Sequence, residues 1–514
     1  MEARLSPPIG RAMARFWLPD LAGMLGIATL IFCLFVYGAG RRIFRDSDAG
    51  WHIRNGERIL ERRAIPRTDP YSFSKAGQPW CSWEWGSDVI MGLAYRSDGL
   101  RGVTALIAAA IASVTWLWVR LNLHAGGDFL LTGLFAPLMV TTTSLHWLAR
   151  PHVFGWLFLL GALLYAERRE DGFSWPQLAI VSGATAIWAN LHPSFLLAPV
   201  IALSYAASHA IRPILWPCDD AAEHAKARWF LAAAVAAIAG SLLNPYGWQL
   251  HARILSYLSD SRLISHIAEF QSFNFRQAEA TGIALTMAVA AGGAVLALTQ
   301  KQVAHFLIAA GLLWAGLRSA RVLPLVALLA LPLANAAIAA ALREASSLRP
   351  QIRRMMDSVL RYSSNLGIID GRLRGAAFSA TAALAILLLM RTPAYSRQIG
   401  FPTDQFPVAA SAAVDKLPAN ARIFAPDSYG GYLIYRFNGS RPVYCDGRSD
   451  FYGSDFLNRY LILLNLQPGW RDVLQSGHFT HALLPAASPV RAALQQAGWV
   501  VLYKDGIATV LEAR

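Results

Sequence analysis

The chain has 514 residues, of which 55% are hydrophobic and only 15% charged. A water-soluble protein of ordinary composition carries about 25% charged residues, and the apolar residues here fall in blocks suited to a bilayer, so a soluble enzyme is excluded in favour of an α-helical polytopic membrane protein. The net charge of +14 comes without a basic stripe interleaved with aromatics, which argues against nucleic acid and points to cytoplasmic loops and membrane lipid headgroups.

Met1 to Asp20 carries Arg4, Arg11 and Arg15 ahead of the first apolar run. No small-residue cleavage site comes after that run, only Arg41, Arg42 and Arg45, so it reads as an uncleaved anchor. Hydropathy predicts about eleven spans: Leu21–Gly40, Leu100–Val119, Phe129–Ser144, Val153–Ala166, Pro176–Ala189, Phe195–Ile211, Trp229–Leu243, Thr281–Thr299, Val303–Leu317, Val322–Leu342 and Ala376–Met390. Several are shorter than the roughly 20 residues a straight span needs. An N-terminus in the cytoplasm places the arginine-rich segment Arg343 to Arg374 there too, with seven arginines against three acids, as the positive-inside pattern requires. Every motif-bearing loop then falls on the opposite face. The expected location is a bacterial inner membrane, with the C-terminal part periplasmic or extracellular.

The first outer loop, residues 41–88, is too long for a turn. It opens on Arg45-Asp46-Ser47-Asp48-Ala49-Gly50-Trp51-His52. Gly50 to Arg63 reads as an amphipathic helix lying in the membrane interface. Pro66, Pro70 and Pro79 break the remainder of the loop into turns. Trp80, Trp83 and Trp85, with Glu84 among them, are expected to anchor the loop at headgroup depth. After about Arg391 the alanine–leucine runs stop. Arg422–Ala425, Pro442–Cys445, His481–Pro485, Trp499–Tyr503 and Ala508–Leu511 read as short strands, and Gly430–Phe437, Ser454–Leu464 and Pro489–Gly498 as helices. The expected organisation is a transmembrane domain over residues 1–391 and a small soluble α/β domain over 392–514 on the outer face. No internal repeat supports an inverted-repeat transporter. None of the four cysteines has metal-ligand spacing; Cys81 and Cys445 share a face, where a disulfide is an option.

Acids at a membrane edge are costly unless they do chemistry, bind a cation or meet a basic partner. Asp46 and Asp48 are the first candidates, as a base or as ligands of a cation that steadies a leaving phosphate; the plain alternative is a pair solvated at the loop start or held by Arg41, Arg42 or Arg45. Glu84, between two tryptophans, is partly desolvated in this reading, which raises its pKa and suits it to proton transfer. Arg150, ahead of Pro151 and His152, can fork onto phosphate oxygens. Asn190 and His192 join two spans, Glu269 rims the site, and Arg321 heads a span where a lipid-linked phosphate would lie. For each the competing reading is an interfacial or helix-pairing role. Asp446-Gly447-Arg448 in the tail suits a bound sugar or phosphate, and Trp51 and His52 complete the substrate-binding candidates.

The order of these features resembles the GT-C superfamily of polyprenyl-phosphate-sugar-dependent glycosyltransferases, whose first outer loop starts with an acidic motif. More closely, the chain is similar to a group of bacterial multi-pass proteins that share Asp-x-Asp-x-Gly-Trp-His (Asp46 to His52), Ile-Pro-x-x-Asp-x-Tyr-Ser (Ile65 to Ser72), Arg-Pro-His, Trp-x-Asn-x-His, Asn-Pro-Tyr-Gly and Asp-Gly-Arg-x-Asp-x-Tyr-Gly (Asp446 to Gly453). The resemblance implies a GT-C-like helical fold and an inverting transferase with a catalytic carboxylate at Asp46 or Asp48. The donor would be a polyprenyl-phosphate-linked sugar and the acceptor a lipid-linked glycan, lipid or protein. It leaves open which aspartate acts and whether a divalent cation, Mg or Mn, joins the two as in oligosaccharyltransferases. The rival classes are a non-catalytic transporter or flippase, which calls for acids in mid-membrane that the apolar runs nearly lack, and a cell-envelope assembly protein, which calls for no deep polar pocket under the first loop.

Overall fold

The computed structural model describes residues 15–168, 173–346 and 348–514. The part of the N-terminal anchor before residue 15 and the Arg169 to Asp171 charges lie outside the described residues. The principal helices are α1 (Leu21–Ile31), α2 (Asp48–Arg62), α3 (Trp85–His124), α4 (Phe129–Thr143), α5 (His152–Glu167), α6 (Trp175–Ala189), α7 (Leu197–Leu215), α8 (Asp220–Ser241), α9 (Trp248–Ser259), α10 (Ala280–Thr299), α11 (Val303–Arg318), α12 (Leu331–Glu344), α13 (Pro350–Asp370) and α14 (Ala376–Met390), followed in the tail by α15 (Asp427–Arg436), α16 (Ser454–Leu464) and α17 (Pro489–Gln496).

Among the described residues, five helical stretches are long and apolar enough to cross a membrane: Trp85–His124, Phe129–His146, Pro193–Leu215, Ala280–Thr299 and Ala320–Glu344. Leu21–Val36, His152–Glu167, Val303–Arg318 and Ala376–Met390 are shorter apolar helices. Hydropathy alone led to eleven spans because it counts apolar residues and not helix length. A helix of 16 residues such as His152–Glu167 extends only about 24 Å at ~1.5 Å per residue, short of the roughly 30 Å apolar layer. The first long helix also starts earlier than its apolar run. It begins at Trp85 and is kinked at Asp98 and Gly99, where Gly99 has φ +57°, just before the Leu100 at which hydropathy rises.

The loop helix α2 does not lie on a lipid surface. Trp51, His52, Ile53, Asn55 and Ile59 are all buried, because α2 is gripped from two sides by backbone. A Cβ on Gly56 would stand 1.8 Å from the Asp88 carbonyl oxygen of α3, and one on Gly50 would stand 2.1 Å from that of Gly431 in α15. Only residues without a side chain allow these crossings. The amphipathic pattern is present as expected, but its apolar face is covered by protein instead of by lipid.

The tail carries a four-stranded sheet in the order β1-β2-β4-β3, with β1 (Ile423–Phe424), β2 (His481–Pro485), β3 (Val500–Lys504) and β4 (Ala508–Glu512). β1 and β2 are parallel, while β4 runs antiparallel to both β2 and β3. The segment Pro442–Cys445, expected as a further strand, is not one. Its Val443 instead forms a bridge to Ser72 of the first loop, with Phe73 N–H donating to the Val443 carbonyl at 3.0 Å and Val443 N–H to Tyr71 at 2.9 Å. All four cysteines are free, so Cys81 and Cys445 are not joined.

The pin between loop and tail is Arg448. It is 2% exposed, and its guanidinium lies 2.9 Å from Asp69 and 2.6 Å from Asp446. The Trp80 ring covers it at 4.6 Å and that of Phe451 at 5.1 Å. Trp80 is therefore an interior wall of this seam and not a headgroup anchor.

Candidate active site

The loops at one end of the helices converge on a cavity of about 700 Å³. Trp156 and Leu159 of α5, Leu196 and Leu197 at the head of α7, and Leu325 supply apolar lining. The charged lining comes from the first loop, the Arg150 and Glu269 loops, and the tail.

Arg150 is the hub of the charged lining. Its Nη1 lies 2.9 Å from Asp46 and 2.9 Å from Glu269, and its Nη2 lies 3.3 Å from Asp48. Pro151 comes directly after Arg150 and opens α5, a place where its missing N–H costs nothing. Ala149 N–H donates to the Ile43 carbonyl at 2.8 Å, fixing the approach of this loop to the end of the first span. Burial alone would lower the pKa of Arg150, but the carboxylates of Glu269, Asp46 and Asp48 outweigh it and raise it. Glu269 moves the other way: burial opposes its charge, yet Arg150 and Arg321 pull its carboxyl well below the usual range. Arg321 meets Glu269 at 3.4 Å and lies against the Phe270 ring.

The two aspartates play different structural parts. Asp46 Oδ1 accepts the Asp48 backbone N–H at 2.9 Å, which sets its charge just ahead of the N-terminus of α2, where a negative charge is favoured. Asp48 stands on the first turn of α2 and is 6% exposed. Burial, then the charge of Asp46, pushes its carboxyl up to about 8, against the pull of Arg150. Gly447 of the tail closes over it, for a Cβ there would lie 2.0 Å from Asp48 Oδ1.

A divalent cation between Asp46 and Asp48 would compete with a guanidinium already held there. Among the described residues no group of three or more His, Cys, Asp or Glu is placed to hold a metal ion. Both carboxylates face Arg150 in this arrangement.

Of the other residues singled out in the sequence, Glu84, Trp51, His152, His192, Arg321, Asp446 and Arg448 lie along the cavity. Asp446 and Arg448 spend their charges on each other and on Asp69. His52 and Asn190 do not line it. His52 is 1% exposed and pairs with Asp88 at 2.6 Å behind Glu84. Asn190 accepts from Trp85 Nε1 at 2.8 Å and donates to the Ala186 and Leu243 carbonyls, which joins the ends of three elements. Asp88, Asp69 and Asp450 do not stand out in the sequence. Asp88 carries a signal all the same: it lies four residues after Glu84, one helical turn on and thus on the same face. Asp69 sits within a shared motif but has no visible partner there.

The fold and site together define a polytopic helical membrane protein whose first long loop and C-terminal tail build one charged cavity at the ends of its helices. Among solved structures, the chain is similar to the crystal structure of the Archaeoglobus fulgidus oligosaccharyltransferase in the apo form, with a TM-score of 0.58 and 12% identity over 90% of this chain and 69% of that one. At that identity the likeness is one of fold. No family model matches the chain, and no curated protein does.

Proposed function

We propose that the chain is a membrane glycosyltransferase of GT-C type, inverting in stereochemistry, which moves a sugar from a polyprenyl-phosphate donor to a lipid-linked glycan, lipid or protein acceptor at the outer face of the bacterial inner membrane. The observation that carries this reading is the cavity lined by both apolar and charged side chains: a lipid-linked phosphate needs both. The resemblance of Asp46 to His52 to the superfamily's acidic loop start, and the fold shared with an oligosaccharyltransferase, support it.

Asp48 is the base in this reading. It is buried on a fixed helix turn, and its raised pKa brings it near the working pH, where a general base acts best. Asp46 accepts the Asp48 backbone N–H and, with Arg150, sets the direction of the Asp48 carboxylate. Arg150 already serves three carboxylates, so the donor phosphate falls to Arg321. Arg321 is paired with Glu269 at 3.4 Å through a single nitrogen and can turn its remaining N–H groups to phosphate oxygens. The acceptor lies between the first loop and the tail.

The test is transfer from a synthetic polyprenyl-phosphate sugar in proteoliposomes, paired with mass spectrometry of surface glycans from a deletion strain. Asp48→Asn is expected to lower turnover by about 100-fold or more, the usual worth of a positioned base. If Asp46→Ala and Asp48→Ala each transfer at the wild-type rate, the reading is wrong. A deletion strain whose glycans are unchanged favours a transporter or an assembly protein.

A further inference from the structure

Glu84 stands apart from the carboxylates gathered at Arg150. It ends the first loop, immediately before α3, and it faces histidines from two other elements. His192 Nε2 lies 3.6 Å from Glu84 Oε1, and His52 Nε2 lies 4.0 Å from Glu84 Oε2. The hydrogen bond behind the His192 ring assigns its tautomer. His192 Nδ1 accepts the Ser194 backbone N–H at 3.1 Å, so its proton sits on Nε2 and points at Glu84. His52 Nδ1 lies 2.6 Å from Asp88 Oδ1, while Asp88 Oδ2 accepts from Asn55 Nδ2 at 2.6 Å. His52 Nδ1 and Asp88 Oδ1 share one proton between them, and the ring turns its Nε2 toward Glu84.

Glu84 thus lines the cavity with a histidine on either side, and among the described residues its ion-pair neighbours are these two rings and no arginine or lysine. A protonated carboxyl suits such a site, since a buried carboxylate without a cation is costly. The groups that face Glu84 from the surrounding elements are His52 of α2, Asp88 of α3, His192, Arg150, Arg321 and Asp450. Burial, then the charge of Asp88, pushes its carboxyl up to about 8, with Arg150 and Arg321 acting in the opposite sense.

We propose that Glu84 is the general acid of the transfer, giving its proton to the phosphate oxygen that leaves the sugar, with His52 and Asp88 as positioning residues that keep that proton in place. This rests on the transferase reading given above and extends it to the second half of the reaction. The bond from the sugar's anomeric carbon to the phosphate oxygen breaks as the bond from that carbon to the acceptor oxygen forms. Asp48 takes the acceptor's proton, and the departing oxygen takes that of Glu84. Two protons move and the total charge of the site is unchanged. Return of the Asp48 proton to Glu84 restores the starting state. Two buried carboxyls with opposite duties are a known way to run acid and base chemistry at one pH.

Two readouts test it on the full-length protein in lipid nanodiscs. The first is infrared spectroscopy of the protonated-carboxyl C=O stretch across a pH titration, which needs no substrate. Wild type is expected to show such a band at pH 7, and Glu84→Gln is expected to lose the Glu84 share of it while the shares of Asp48 and Asp88 remain. The second is turnover with the polyprenyl-phosphate sugar: Glu84→Gln is expected to lower kcat by about 100-fold or more with the donor KM within about twofold. Glu84→Asp retains the band but loses most of kcat through misplacement, which keeps the test open if the glutamine variant folds poorly. The proposal is overturned if the band is unaltered in Glu84→Gln, or if that variant turns over at the wild-type rate. If wild type transfers no sugar while the Glu84-dependent band is present, it is the transferase reading that fails, and the acid role with it, leaving a protonated carboxyl in need of another use.

Discussion

Replacing Gly447 with alanine adds one methyl group directly against the proposed base. The new Cβ would lie 2.0 Å from Asp48 Oδ1, 2.7 Å from Cγ and 2.9 Å from Oδ2. To reach ordinary contact at 3.4 Å the carboxylate has to retreat by about 1.4 Å. Its freedom to do so is small, because Arg150 holds Oδ2 at 3.3 Å and α2 is clamped at Gly50 and Gly56. Overpacking of this kind costs about 1–3 kcal/mol of stability, and displacement of a reacting group by about 1 Å costs about 100-fold in rate. Gly447→Ala is therefore expected to fold, to melt a few degrees lower, and to lose about two orders of magnitude in kcat/KM for sugar transfer. Gly133→Ala is the control, since nothing lies within 4 Å of a Cβ there. The assay is transfer in proteoliposomes with thermal unfolding measured in parallel. Full turnover by Gly447→Ala at unchanged stability would refute both the placement of Asp48 as base and the role of the tail glycine in aiming it.

The same geometry sets other outcomes. Arg448→Ala leaves Asp446 and Asp69 buried without their cation, a change that costs about 3–5 kcal/mol; limited proteolysis should then release the tail, and Arg448→Lys should not rescue it because the forked guanidinium is what meets both carboxylates. The Asp48 carboxyl ionises as pH rises through about 8 and the Glu84 acid loses its proton in the same range, so log(kcat/KM) should climb with pH up to that point and fall beyond it, and a flat profile would count against both roles. The same raised folded-state value means that the folded protein binds that proton more tightly than the unfolded chain, so stability is greatest below the ordinary carboxylate range and declines as pH rises toward about 8; thermal melts across that window, with Asp48→Asn as the variant that removes the slope, check it. Chelation with EDTA should leave transfer unchanged, while Arg150→Met should abolish it, since the guanidinium supplies the positive charge among the carboxylates; loss of activity with EDTA, restored by Mg or Mn, would show that a cation displaces Arg150.

Local chemistry was legible from the sequence, and remote pairing was not. Asp46 and Asp48 showed themselves as costly acids at a membrane edge, and Arg150 as a forked cation before a proline. That the three would meet could not be read, because the contact joins residues 104 apart. His52 looked like a substrate ligand by adjacency to the acids, yet its partner Asp88 lies 36 residues on, one helix away. Asp446-Gly447-Arg448 looked like a ligand cradle. Its arginine is consumed by Asp69, and the glycine between them serves Asp48 instead. The tail's strands at His481–Pro485 and Ala508–Glu512 pair with each other and carry their own alternating signal. Pro442–Cys445 carries the same signal but spends its backbone on the first loop.

The seam between the loop and the tail also sets an order of events in biosynthesis. Asp46 and Asp48 emerge early from the ribosome, and nearly the entire membrane region is made before Gly431, Gly447 and Arg448 exist. Until those late residues have crossed to the same face and closed over the first loop, Asp48 lacks its lid and Trp80 its arginine. A chain caught halfway through insertion is catalytically silent, and a truncation that removes only the residues from Val443 onward is expected to behave like deletion of the whole gene.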